Sequence, residues 1–372
     1  MFTRRQTRVI HLGNVAIGGN HPVSVQSMTN TDTRDISATI DQIQKLHDAG
    51  CQIVRVAVPD KEAADALGPI VKAVELPIIA DIHFNYRLAI EAINQGVDGL
   101  RLNPGNIGGA LRVRQVMERA SAAGTPIRIG VNAGSLQKEH LKQYGGVTAQ
   151  AMVDSAIEHI RLLEQERFHD IKISLKASNI PLMVEAYQLL SKQVDYPFHI
   201  GVTEAGLPGR GAVKSAVGIG VLLSQGLGDT VRVSLTGDPV EEVKVALDIL
   251  QALGLAKHGA ELISCPTCGR CQLDLLAVAR EVEERIKNIK KPITVAVMGC
   301  AVNGPGEARQ ADVGIAGGKD GGLIFRHGKV VKRVRQEDLV SQLVKEIDKI
   351  ISEEDNNESQ QTIDADAAGK PI

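Results

Sequence analysis

Planar side chains are scarce in this chain of 372 residues. Tryptophan is absent, and four tyrosines and five phenylalanines bring the aromatic share to only 2%. A platform that stacks the bases of single-stranded nucleic acid needs several such faces, so that class is excluded. A surplus of positive charge is lacking as well. Lysine and arginine number 42 against 44 acidic residues, a formal net charge of −2, which leaves no global field for a nucleic-acid backbone. No apolar run approaches the roughly 18 residues of a membrane-spanning helix. The N-terminal stretch MFTRRQTRVIHLGNVAIGG carries basic residues with no apolar segment behind them. No signal peptide is therefore expected, and the expected location is cytoplasmic. Five cysteines are too few and too clustered for a disulfide framework at this length. In a reducing compartment they read as ligands.

What the first 240 residues do contain is one repeated unit: a short β-branched strand, a polar or Gly-rich turn, then an amphipathic helix. Strands are expected at VSVQSM (23–28), QIVRVAV (52–58), PIIADIH (77–83), GLRLNPG (99–105), IRIGVNAG (127–134), IKISLKAS (171–178), FHIGVTEAG (198–206) and TVRVSLTG (230–237). Helices such as 40–50, 153–165 and 239–254 separate them. Eight strands alternating with helices predict an α/β fold, a (β/α)8 TIM-type barrel over 1–257 with catalytic groups at the C-terminal strand ends. A doubly wound open sheet is the alternative, and the count of eight favours closure. Beyond 257 the rhythm changes: a connector into the cysteine cluster, a helix (273–289), a strand (293–300), a Gly-rich loop (301–318), a hairpin (322–334) and a helix (337–351). These predict a separate α+β domain over 258–351. The acidic, polar tail 352–372 has no apolar periodicity and is expected to be disordered.

Several barrel strands carry polar residues at every second position. Arg55 alternates with Val54 and Val56, Arg101 and Asn103 with Leu100 and Leu102, Arg128 and Asn132 with Ile127, Ile129 and Val131. Lys172, Ser174 and Lys176 alternate with Ile171, Ile173 and Leu175, and Arg232, Ser234 and Thr236 with Val231, Val233 and Leu235. Period two sends one set into the barrel and the other toward the helices. Burying so many cations without anions costs several kcal/mol each. Pairing with Asp81, Glu204 or Asp238 accounts for single cations but not for the whole set. The surplus points to a compact polyanion such as a phosphate or diphosphate ester, whose oxygens suit the guanidinium fork. The turn GLPGRGAVKSAVGIG (206–220) opens a helix whose first N–H groups are a second anion site, with a plain tight turn as the alternative. His83 is expected at a strand end and carries little signal alone. Glu204 carries more, because a carboxylate among cations weakens phosphate binding unless it manages a proton.

The second domain holds CPTCGRC, with Cys265, Cys268 and Cys271, and Cys300 follows 32 residues after Cys268. Spacing nominates all four as ligands and leaves an iron–sulfur cluster, a zinc site and a redox dithiol open. The motifs CPTCGR (265–270) and MGCAVNGPGEA (298–308) follow RLNPGNIG and RIGVNAGSL in the barrel. Together they resemble the 4-hydroxy-3-methylbut-2-enyl diphosphate synthase family of the methylerythritol phosphate route to isoprenoids, over about residues 5–350. The resemblance implies a C-terminal domain like those of sulfite reductases. It implies one 4Fe–4S cluster per chain on Cys265, Cys268, Cys300 and Glu307, with Cys271 left out. Substrate contacts would come from Arg55, Arg101, Arg128, Asn132, Lys176, Arg232 and Ser234, with Glu204 and Glu307 as catalytic carboxylates. It further implies reductive opening of a cyclic diphosphate, a flavodoxin or ferredoxin electron donor, and a homodimer. An iron–sulfur carrier or sensor explains the cysteines but not the inward cations. A phosphate-ester barrel enzyme with structural zinc explains the barrel but not the context of Glu307.

Overall fold

The computed structural model describes residues 2–300, 306, 309–318 and 321–368, with side chains through Glu353. It divides into two compact units, Met1–Ala256 and Lys257–Ile372.

The first unit opens with a hairpin that sequence reading missed, β1 (Ile10–Leu12) against β2 (Val15–Ile17). Eight parallel strands follow: β3 (Ser24–Met28), β4 (Ile53–Ala57), β5 (Ile78–Asp81), β6 (Gly99–Leu102), β7 (Ile127–Asn132), β8 (Ile171–Lys176), β9 (His199–Ile200) and β10 (Thr230–Val231). They pair in the order β8-β7-β6-β5-β4-β3-β10-β9, and a parallel bridge between Ile173 and Phe198 joins the ends into a barrel. All eight expected strands are present. β9 and β10 are shorter than their sequence pattern, and the two backbones approach closely just beyond them. A Cβ on Gly201 would collide with the Arg232 carbonyl oxygen.

Side-chain caps begin the helices where the sequence turns polar. Asp35 accepts from the Ala38 amide, Thr148 from Ala151, Asn179 from Leu182, and Asp238, followed by Pro239, from Val240. The hairpin covers the N-terminal end of the barrel: Ile10, Leu12 and Ile17 bury against Ile53 and Ile79. Arg5 secures the preceding segment, donating to the Val194 and Tyr196 carbonyls at 2.6 and 2.5 Å with its guanidinium 3.9 Å above the Phe198 ring.

The second unit is a five-stranded sheet in the order β11 (Ala260–Ser264), β12 (Ile293–Met298), β13 (Val313–Gly318), β14 (Gly321–Arg326) and β15 (Lys329–Val334). The first three run parallel; β14 and β15 return antiparallel. β11 lies in the segment read as a connector, and β13 in the segment read as Gly-rich loop. The glycines of β13 serve packing instead of turning: a Cβ on Gly314 would collide with the Phe325 ring and sit 2.6 Å from the Ala296 carbonyl oxygen. One face of the sheet buries Val295, Val297, Ile315 and Ile324 with Val282 of the helix Leu275–Ile286 and Leu339, Leu343 and Ile347 of the final helix. The other face carries Ala296, Met298, Ala316 and Phe325.

The final helix runs Leu339–Ala368, so helix extends through most of the segment expected to be disordered. No glycine or proline interrupts 339–368, and the first such residues, Gly369 and Pro371, lie outside the described residues.

Candidate functional site

Alternation along the barrel strands carries its polar set inward. A cavity of about 170 Å³ opens among Arg55, Arg101, Arg128, Asn132, Lys176, Arg232 and Ser234, together with Asp81, His83, Ser174 and Thr203. All seven side chains expected to meet substrate thus converge. The parallel register explains it, since Arg101 pairs with Arg128 and Asn132 with Lys176 on neighbouring strands.

Only part of the positive charge is neutralised within the barrel. Asp81 is the hub: Arg101 approaches its carboxylate at 3.3 Å, Arg55 at 3.6 Å and His83 at 3.6 Å. Burial opposes ionisation of Asp81, but Arg55, His83, Arg101 and Arg128 outweigh it and hold the carboxyl well below the usual carboxylate range. Arg232 finds a second carboxylate, Glu242, at 3.4 Å. Glu242 also accepts from the Leu235 amide at 2.9 Å and the Ser27 hydroxyl at 3.4 Å. Sequence reading missed Glu242 because it stands in the first turn of the helix Pro239–Ala252, outside the strand alternation.

Arg128 and Lys176 have no carboxylate partner among the described residues, and the Nε and Nη1 of Arg128 are buried without a hydrogen bond. Burial, reinforced by the neighbouring cations, pulls Arg128 and Lys176 far below their ordinary values. Burial likewise brings Arg55 down to about 10, even with Asp81 opposing. Deeper still, the Lys172 Nζ and the His199 Nε2 are buried without partners among the described residues, and burial lowers both groups well below normal. Such a wall is short of negative charge, and an anion entering the cavity supplies it.

Glu204 stands apart from this lining. It is exposed in the turn after β9, next to Thr203, with φ at 53°, a left-handed conformation rare for glutamate. Lys214 reaches its carbonyl oxygen at 3.5 Å. The Gly-rich turn continues through Gly206 and Gly209, both at positive φ, into the helix Arg210–Ser224, and none of its residues lines the cavity.

In the second unit, adjacent parallel strands each lead into a cysteine. Ser264 pairs with Val297, placing Cys265 and Cys300 just past the C-terminal ends of β11 and β12. The Gly299 amide donates to the Cys265 sulfur at 3.2 Å, and the Gln272 amide to the Gly299 carbonyl at 2.9 Å, tying the two segments together. Cys268 is exposed, and hydrogen bonds from the backbone and guanidinium of Arg270 lower its thiol toward the thiolate, the form a metal ligand requires. Cys271 donates to the Leu273 carbonyl at 3.1 Å and presses against Gly299, where a Cβ would meet its sulfur at 2.6 Å. Glu307 lies outside the described residues. Among those described, no three Cys, His, Asp or Glu side chains are gathered for a metal. Thiolate-forming side chains, a backbone N–H aimed at sulfur and glycine clearance nonetheless fit a soft, sulfur-bound group.

Residues 7–247 match the family model for the GcpE TIM-barrel domain, and residues 261–349 that for the GcpE protein C-terminal domain. A protein of Caldanaerobacter subterraneus subsp. tengcongensis is 58% identical over 94% of this chain and 99% of its own length. One of Clostridium perfringens is 57% identical over 94% and 100%, and one of Geobacter sulfurreducens 58% over 94% and 99%. Each bears the name 4-hydroxy-3-methylbut-2-en-1-yl diphosphate synthase (flavodoxin).

Proposed function

Because this chain belongs to the GcpE family, we infer that it is an oxidoreductase converting 2-C-methyl-D-erythritol 2,4-cyclodiphosphate to 4-hydroxy-3-methylbut-2-en-1-yl diphosphate in isoprenoid precursor biosynthesis. The ring carbon–oxygen bond to phosphate opens and one hydroxyl leaves as water, consuming two electrons and two protons. The observation that carries the assignment to this barrel is its cation-rich cavity, in which Arg128 and Lys176 have no carboxylate of their own among the described residues.

In this reading Arg55, Arg101, Arg128, Lys176 and Arg232 hold the diphosphate, with Asn132 and Ser234 as neutral donors. Their charge stabilises the phosphate oxygen as it separates from carbon. Asp81 pairs with Arg55 and Arg101, and Glu242 with Arg232, which fixes these guanidinium groups in place. Glu204, exposed in the turn next to Thr203, would pass a proton to the departing hydroxyl. Cys265, Cys268, Cys300 and Glu307 would hold a 4Fe–4S cluster, which when bound delivers electrons one at a time. Glu307, a harder ligand than thiolate, would be the most readily exchanged of the four. The donor is a flavodoxin or ferredoxin, and the enzyme works as a cytoplasmic homodimer.

Iron and acid-labile sulfide in anaerobically purified protein test the reading. About four of each per chain are expected for a 4Fe–4S cluster. Stoichiometric zinc without sulfide would overturn it. Anaerobic turnover of the cyclic diphosphate with dithionite then separates an enzyme from an electron carrier.

A further inference from the structure

The outer strand of the cysteine-bearing sheet has a charge pattern that the reaction at the barrel leaves unexplained. From Arg326 to Arg335 the sequence RHGKVVKRVR contains five lysines and arginines and no acidic residue. Residues 329–333 of β15 are all exposed, including Val330 at 51% and Val331 at 52%. Among the described residues β15 pairs only with β14 and is the edge of its sheet. Lys329 and Arg333 form no ion pair among the described residues, while Lys332 donates to Gln342 at 2.6 Å.

Register relates this edge to the cysteines. Met298 pairs with Ala316, Ala316 with Leu323, and Leu323 with Arg333, one line across the sheet. Paired residues share a face, so Arg333 stands on the face of Met298, Ala316 and Phe325, against which Cys265 packs. Three strand spacings separate Arg333 from the strand that leads into Cys300, about 14 Å. A bulge between Ile324 and Phe325 shifts the pairing and twists this edge.

We propose that the β15 edge, centred on Lys332 and Arg333, is the docking surface for an acidic one-electron carrier protein. The inference rests on the redox reading above and adds where the donor sits. A cationic rim around exposed Val330 and Val331 suits a protein partner, whose carboxylates steer the encounter while the valines lose water. Nucleic acid is disfavoured because, among the described residues, no exposed phenylalanine, tyrosine or tryptophan accompanies the cations. Lysines on an edge strand also discourage sheet-to-sheet aggregation. That role alone predicts no effect on electron delivery.

The test uses the cluster-loaded enzyme, the cyclic diphosphate, and either a photoreduced flavodoxin of net negative charge or dithionite. The double variant Lys332→Glu/Arg333→Glu should lose at least tenfold in flavodoxin-driven turnover at low salt and stay within twofold of the parent with dithionite. Equal flavodoxin rates for parent and variant at every ionic strength would overturn the proposal while leaving the synthase reading intact. Should the variant fail to fold, the parent decides. Its flavodoxin-driven rate should fall steeply as added salt shortens the screening length from about 30 to about 8 Å, and a flat response overturns the docking surface. Absence of turnover with both reductants in the parent would overturn the docking surface together with the reaction it serves.

Discussion

Arg128 carries the sharpest prediction at the scale of single residues, because among the described residues it faces the cavity with neither carboxylate nor hydrogen bond on two of its nitrogens. Replacing it with alanine should weaken substrate binding by about 1.5–3 kcal/mol, roughly a 10- to 150-fold rise in KM. The cluster's visible absorption should stay unchanged, and loss of that absorption would remove Arg128 from the substrate site. Glu204→Gln should assemble the cluster and bind substrate but turn over poorly, so near-parental kcat would refute its proton role. Cys271→Ser should keep iron and activity, since its thiol is engaged with the Leu273 carbonyl. Iron loss in that variant would restore the four-cysteine reading. The inward cations and the cysteine motifs were legible because period-two alternation and C-x2-C spacing are local. Glu242 was not, for its partner Arg232 is ten residues away on a different element.

At the scale of elements, two features lend themselves to measurement. Ile17 is fully buried in the hairpin beneath the barrel, so Ile17→Ala should cost about 2–5 kcal/mol in urea unfolding. A change under about 0.5 kcal/mol would mean the hairpin is dispensable packing. β8 supplies the second test through Lys172. Its folded value is depressed, so the unfolded chain holds the proton more tightly and stability rises with pH between the folded value and the ordinary lysine value near 10.4. Lys172→Met should therefore flatten the parent's pH dependence of stability below the ordinary lysine value, by up to about 1.4 kcal/mol per pH unit. Parallel pH profiles for the two proteins would show that Lys172 is charged in the fold. The hairpin and strands β11 and β13 escaped sequence reading for a shared reason. Each is short or glycine-bearing, and only close approach by a distant segment, such as Phe325 over Gly314, reveals its role.

At the scale of the whole molecule, the chain showed its barrel through repetition: eight strand–helix units need no long-range information to be counted. Ring closure rests on long-range pairing instead, namely β10 beside β3 and the Ile173–Phe198 bridge. The continuous helix to Ala368 departed from expectation because composition reports a missing apolar stripe, whereas helix persistence depends on the absence of breakers.

The hairpin under the barrel has a consequence for binding. With Ile10, Leu12 and Ile17 stoppering the N-terminal end, the cavity is a blind vessel with its opening at the C-terminal strand ends. Whatever is consumed and whatever is made must pass the same threshold, one molecule at a time. Product and substrate should therefore exclude one another in equilibrium binding, and a complex holding both would refute the single threshold.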